Sequence, residues 1–155
     1  MVEITENQAA PAFDLATDGD GRVTLADLKG KSVVLYFYPK ADTPGCTTEG
    51  LDFSALADQF AAANTVVIGV SRDAAKKLDR FKAKHDLKVI LGSDEDGVVC
   101  EAYGTWVMKK LYGREYMGVE RATFLIDGAG VIRRAWRSVK VKGHAEQVLD
   151  AARSL

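Results

Sequence analysis

Apolar runs and helical periods take turns along most of this chain. The stretch Val33-Val34-Leu35-Tyr36-Phe37-Tyr38 is almost continuously apolar, which predicts a strand over Ser32–Tyr38 buried on both faces. A helix is predicted next, from about Thr43 to Ala63, with Thr43 placed to cap it and Pro44 suited to its first position. Thr65–Val70 reads as a second buried strand. Ser71 is then placed to cap a helix whose apolar residues Ala74, Leu78 and Phe81 recur at helical spacing. Val89–Leu91 predicts a short third strand, and Asp94 the cap of a short helix reaching about Tyr103. Ala122–Ile126 and Val131–Arg137 flank Asp127-Gly128-Ala129-Gly130, the pattern of an antiparallel hairpin. Gly143–Ser154 closes the chain with an amphipathic helix. Phe13–Thr24, turning at Asp18-Gly19-Asp20-Gly21, adds an N-terminal hairpin. Strand and helix alternate three times before the hairpin and last helix, which predicts an α/β fold with a mixed central sheet flanked by helices.

At 155 residues the chain is expected to be one domain, spanning residues 1–155, with a sizeable core. Hydrophobic residues make up 47% and charged residues 28%, an ordinary soluble composition. A net charge of -1 argues against nucleic acid or an anionic membrane as the main partner. No apolar run approaches a membrane span. The opening Met1-Val2-Glu3-Ile4-Thr5-Glu6 lacks the basic and apolar segments of a secretory signal. Two cysteines, Cys46 and Cys100, make no disulfide framework, so a reducing cytoplasm is the expected compartment. With isolated His85 and His144 they show no metal-ligand spacing, and no metal is expected. His85 reads as a surface helix residue, and His144 as part of the first turn of the last helix. Asp18-Gly19-Asp20-Gly21 fails as a calcium loop, because its first ligand position would be Ala16. Arg133, Arg134, Arg137, Lys140 and Lys142 read as a solvated strand and loop. Trp106, Met108, Tyr112, Tyr116 and Met117 form an aromatic stretch that fits either a pocket wall or an interface.

The chemistry concentrates in Pro39-Lys40-Ala41-Asp42-Thr43-Pro44-Gly45-Cys46. It follows a buried strand and opens a helix, so Cys46 falls in the helix's first turn. There it meets unpaired N–H groups and a partial positive charge, which favour a thiolate. A thiol of pKa ~8.5 is about 3% ionised at pH 7, and a pKa of ~6 raises that roughly 30-fold. Nucleophilicity falls with pKa, however, and the loss leaves a net gain of only about two-fold. A fast thiol enzyme therefore needs donors aimed at the group that departs from its substrate. Thr43 is either an N-cap or such a donor. Pro39 either ends the strand or shields the thiol. Glu49 shares a helix face with Cys46, as an exposed first-turn acid or as the partner of a cation. Cys100 is either a semi-buried helix residue or a second redox thiol.

Pro-x-x-x-Thr-x-x-Cys is the active-site motif of the peroxiredoxins. The longer string Tyr-Phe-Tyr-Pro-Lys-Ala-Asp-Thr-Pro-Gly-Cys-Thr-Thr-Glu resembles the bacterioferritin comigratory protein, or peroxiredoxin Q, subfamily. Ala10-Pro11-Ala12-Phe13, Ser71-Arg72-Asp73, Leu91-Gly92-Ser93-Asp94, Tyr112-Gly113-Arg114 and Arg121-Ala122-Thr123-Phe124-Leu125-Ile126-Asp127 fit the family's other blocks, so the resemblance covers nearly the whole chain. It implies a thioredoxin-like fold and a peroxidase of hydrogen peroxide and organic hydroperoxides that needs no cofactor. It also implies that Cys46 is the peroxidatic thiol, Thr43 a hydrogen-bonding partner of peroxide, Pro39 a shield, Arg121 the cation at the thiolate and Glu49 its orienter. One familiar position of a resolving cysteine is Leu51 here, and the next helix has none at Arg80-Phe81-Lys82-Ala83. The expectation is a one-cysteine peroxidase, monomeric or weakly dimeric, restored by thioredoxin, glutaredoxin or glutathione. The alternatives are Cys100 as the resolving thiol, or a redox sensor that does not turn over.

Overall fold

The computed structural model describes residues 4–155; Met1, Val2 and Glu3, which begin the segment read for a signal, lie outside the described residues. The apolar run becomes β3 (Ser32–Phe37), at the heart of a sheet. It pairs in parallel with β4 (Thr65–Ser71) and antiparallel with β8 (Ala122–Ile126). With β1 (Asp14–Thr17), β2 (Gly21–Thr24), β5 (Ile90–Ser93) and β9 (Ile132–Trp136), the seven strands run in the order β2-β1-β5-β4-β3-β8-β9. β3, β4 and β5 are mutually parallel and the other pairings antiparallel, a mixed sheet of the thioredoxin-like kind.

Alternation along β3 sends its side chains into two cores. Val34, Tyr36 and the following Tyr38 face one core, with Cys46, Phe53, Leu78 and Val148. That side is covered by α1 (Pro44–Ala55), α2 (Ala57–Ala62), α3 (Ala75–His85) and α5 (His144–Arg153). Val33, Leu35 and Phe37 face the other core, with Phe13, Ile68, Tyr103 and Phe124. There the short helix α4 (Val98–Ala102) contributes Val99 and Cys100. Cys46 and Cys100 thus lie on opposite faces of one sheet. Tyr36 stacks on Phe53 at 4.6 Å between ring centroids. Its register partner is Gly69, where an added Cβ would lie 2.5 Å from the Tyr36 Cζ.

Two expectations, the unbroken helix and the Ser71 cap, are corrected. The helix read over 43–63 breaks at Leu56 (φ -102°, ψ 8°), which re-aims α2 so that Phe60 packs on Phe53. Ser71 caps nothing: it ends β4, and its hydroxyl donates to Asp73 Oδ2 at 2.7 Å. The expected N-terminal hairpin forms from β1 and β2 and extends the main sheet, because β1 pairs with β5. The aromatic stretch, read as a pocket wall or an interface, lies on a second, two-stranded sheet of β6 (Trp106–Leu111) and β7 (Arg114–Val119), turning at Tyr112-Gly113.

Candidate active site

The backbone leaves β3 through Pro39 and is staked down before it enters α1. The Ala41 N–H donates to Asp73 Oδ2 at 2.7 Å, and Asp42, at φ 63°, meets Lys84 Nζ and His85 Nε2, each at 2.9 Å. Held between these points, Thr43 arrives at the N-cap position in an extended conformation. Its side chain is not the cap: the hydroxyl donates to the Lys40 carbonyl at 2.8 Å. The first helical bond runs from the Thr47 N–H to the Thr43 carbonyl, so the Cys46 N–H has no helical acceptor. Cys46 is the third residue of α1 and 2% exposed.

Arg121 reaches this thiol from across the sheet. It immediately precedes β8, and its carbonyl accepts the Val139 N–H at 2.9 Å. Arg121 Nη2 lies 3.4 Å from Cys46 Sγ, and Nη1 lies 2.7 Å from Glu49 Oε1. Gly45 leaves room for this approach, since a Cβ there would come within 3.1 Å of Nη2. Glu49 is 1% exposed and its Oε2 has no partner among the described residues. Burial pushes its carboxyl up to about 7, against the pull of Arg121. Burial also works against the Arg121 charge, but Glu49 and Cys46 outweigh it and hold the guanidinium above its ordinary range.

The sequence-predicted residues thus separate into groups. Cys46, Glu49 and Arg121 are in direct contact. Thr43 shares their loop, and Pro39 lines an open groove with Trp106, Lys109, Tyr116 and Met117. Cys100 stands apart, fully buried behind the sheet. His85 is tied to Asp42, and His144 is buried with its Nε2 at 2.8 Å from Thr123 Oγ1. Burial, then Arg121, lowers His144 to about 4, so the imidazole is neutral near pH 7. Arg133 and Arg137 are paired, with Asp127 and Glu120 respectively, which removes much of the expected basic stretch. The part Gly45 plays in admitting Arg121 escaped sequence reading. Gly113, at φ 77° in the turn between β6 and β7, was the available signal for the hairpin they form.

Among the described residues no helix is long and apolar enough to cross a membrane. No group of three or more His, Cys, Asp or Glu side chains among them is placed to hold a metal ion.

Residues 7–135 match the AhpC/TSA family. Peroxiredoxin Bcp of Bacillus subtilis is 47% identical over 148 residues, covering 96% of this chain and 94% of the relative. Among solved structures, Xanthomonas campestris bacterioferritin comigratory protein, studied for alkyl peroxide reduction, matches with TM-score 0.87 and 44% identity over 92% of this chain and 90% of that one. A cysteine-to-serine mutant of Xanthomonas campestris peroxiredoxin Q matches with TM-score 0.90 and 42% identity, over 96% and 98%.

Proposed function

This chain belongs to the AhpC/TSA family and is a peroxiredoxin, a thiol-dependent peroxidase, and from that premise we propose that Cys46 is the thiol that attacks peroxide. The observation that carries this reading is the Arg121 guanidinium 3.4 Å from Cys46 Sγ. The thiolate attacks the terminal oxygen of the hydroperoxide. An S–O bond forms as the O–O bond breaks, sulfur gives up two electrons to become a sulfenic acid, and the departing oxyanion takes a proton to leave as alcohol or water. Arg121 is always charged and faces the place where that negative charge develops. The Cys46 N–H is a second donor. The Thr43 hydroxyl donates to the Lys40 carbonyl, so its oxygen is free to accept a hydrogen bond from the hydroperoxide O–H and orient it. Pro39 has no N–H to offer water and screens the thiol. Glu49 holds Arg121 by its second nitrogen.

The sulfenic acid is resolved by an external thiol in the one-cysteine reading. That thiol attacks Cys46 sulfur to give a mixed disulfide and water, and a second thiol releases Cys46. Burial of Cys100 on the opposite sheet face supports this over internal resolution. Thioredoxin, glutaredoxin and glutathione are the candidate reductants, in a reducing cytoplasm, for a single domain acting as a monomer or weak dimer. A relative studied for alkyl peroxide reduction supports organic hydroperoxides beside hydrogen peroxide. The test is peroxide consumption with excess thiol by wild type and Cys46→Ser, with thiol mapping after one equivalent of peroxide. Activity retained in Cys46→Ser overturns the assignment, and a Cys46–Cys100 disulfide overturns external resolution.

A further inference from the structure

The loop that carries Thr43 into α1 has few backbone anchors. Tyr38, the residue before it, donates its N–H to the Val70 carbonyl at 3.0 Å. From Pro39 to Pro44, among the described residues, only the Ala41 N–H finds an acceptor, and that acceptor is Asp73 Oδ2 at 2.7 Å. Ala41 is 2% exposed, so the bond is made away from water, where it is strongest.

Asp73 itself is held by the scaffold. Its Oδ2 also accepts the Ser71 hydroxyl of β4 at 2.7 Å, and its Oδ1 meets Lys77 Nζ of α3 at 3.1 Å. Its N–H donates to Ser71 Oγ at 3.3 Å, and its carbonyl accepts the Ser93 hydroxyl of β5 at 2.6 Å. Three elements of the fold thus fix one carboxylate, and one N–H of the loop rests on it.

The Ala41 N–H and the Lys40 carbonyl belong to a single peptide unit. That unit is planar and trans, so its two polar groups point in opposite directions and can only turn together. Asp73 holds the N–H end, and the carbonyl end accepts the Thr43 hydroxyl at 2.8 Å. The donors therefore run head to tail, from Thr43 O–H to the Lys40 carbonyl and from the Ala41 N–H to the Asp73 carboxylate. Each bond in such a chain polarises the next, and its negative end makes the carbonyl a better acceptor. The Thr43 proton is kept on Lys40, and the remaining lone pairs of its oxygen stay open.

We propose that Asp73 is a positioning residue of the peroxidase site, which through the Lys40–Ala41 peptide sets the Thr43 hydroxyl as the acceptor of the hydroperoxide O–H. This rests on Cys46 being the attacking thiol and Thr43 the group that orients peroxide. Among the described residues Asp73 bonds to none of Cys46, Thr43 and Arg121, so it acts through that peptide.

The test follows two reactions of reduced protein carrying Cys100→Ser. One is oxidation by hydrogen peroxide. The other is modification of Cys46 by methyl methanethiosulfonate, which has no O–H or N–H for Thr43 to accept. Asp73→Ala is expected to slow the first about 10- to 100-fold and to leave the second within about two-fold. Asp73→Asn, which keeps an oxygen for the Ala41 N–H, should cost the peroxide reaction only a few-fold. On Thr43→Val, which has no hydroxyl to set, Asp73→Ala should add no further loss. An unchanged peroxide rate in Asp73→Ala overturns the proposal. So does a loss in Asp73→Asn equal to that in Asp73→Ala, or a full further loss on Thr43→Val. A thiosulfonate rate that moves as far as the peroxide rate also overturns it, because the loop is then lost and not merely turned. Failure of the underlying reading looks different. Thr43→Val oxidised at the wild-type rate, or Cys46→Ser still consuming peroxide, defeats the roles of those residues and the proposal with them.

Discussion

Cys46 and Cys100 occupy the same position in two different helices. Each is the third residue of its helix, α1 and α4, and each is hidden, at 2% and 0% exposure. Their surroundings are opposite. At α4 the Asp94 carboxylate takes the first-turn donors, accepting the Val99 N–H at 3.0 Å and the Cys100 N–H at 2.7 Å. Burial, and then that carboxylate, push the Cys100 thiol far above its ordinary range. At α1 the Thr43 side chain turns away to Lys40, the first-turn donors stay open, and a guanidinium stands at the sulfur. A helix N-terminus therefore does not by itself make a thiol reactive. What matters is whether an acid has already claimed it.

The strongest way to break this contrast is to exchange the two thiols' fates. Cys46→Ser should abolish peroxide consumption, while Cys100→Ser should leave it near wild type; the reverse result in a thiol-coupled assay would end the comparison. Removing the cation should come next. Arg121→Met is expected to lower kcat/KM about 10²- to 10³-fold, and Glu49→Gln only about tenfold, read by rapid oxidation of reduced enzyme. Equal losses would show that Glu49 does more than hold Arg121. On the other face, Asp94→Ala should leave peroxide consumption intact but cost about 2 kcal/mol or more in urea unfolding, because two buried N–H groups lose their acceptor.

The smallest effect is a hidden one, confined to the Cys46 face. His144, lowered to about 4, takes up a proton on unfolding, so its contribution is complete above about pH 6.5 and lost as pH falls toward 4. Glu49, raised to about 7, releases a proton on unfolding, so stability falls as pH rises from about 4.5 to 7. Each is worth about 3 kcal/mol over its window and the signs oppose. Wild-type stability should therefore stay nearly flat between about pH 5 and 6.5. Glu49→Gln should make it climb with pH there, and His144→Phe should make it fall. Parallel pH curves for all three proteins would mean that the buried pair is not titrating as described.

Most of the architecture was legible because β3, β4 and β8 are buried on both faces and read as plain apolar runs. The β6–β7 hairpin was not, for two physical reasons. Its strands are largely exposed, so no core face imposes alternation, and its two-residue turn places Tyr112 at φ 51° where asparagine or glycine would be the usual signal. The contact of Cys46, Glu49 and Arg121 was legible in part. The spacing of Cys46 and Glu49 follows from helix geometry, but Arg121 lies 75 positions from Cys46, and only the resemblance to a family drew it in. Local pattern also misassigned the Thr43 and Ser71 hydroxyls: each donates to a nearby oxygen, of Lys40 and of Asp73, and neither accepts from a helix N–H.

Gly69 binds two positions together in any line of descent. A methyl group there would strike the ring of Tyr36, so the glycine cannot be exchanged while the tyrosine stands. Losing the tyrosine first would empty the space beside Phe53, a change that costs about 3–5 kcal/mol for an aromatic ring. Neither step is neutral alone, and Tyr36 packs in the same core as Cys46 and Phe53 of α1. A lineage keeps the pair or replaces it in one stroke, which makes residues 36 and 69 inherit as a unit although 33 positions separate them in the chain.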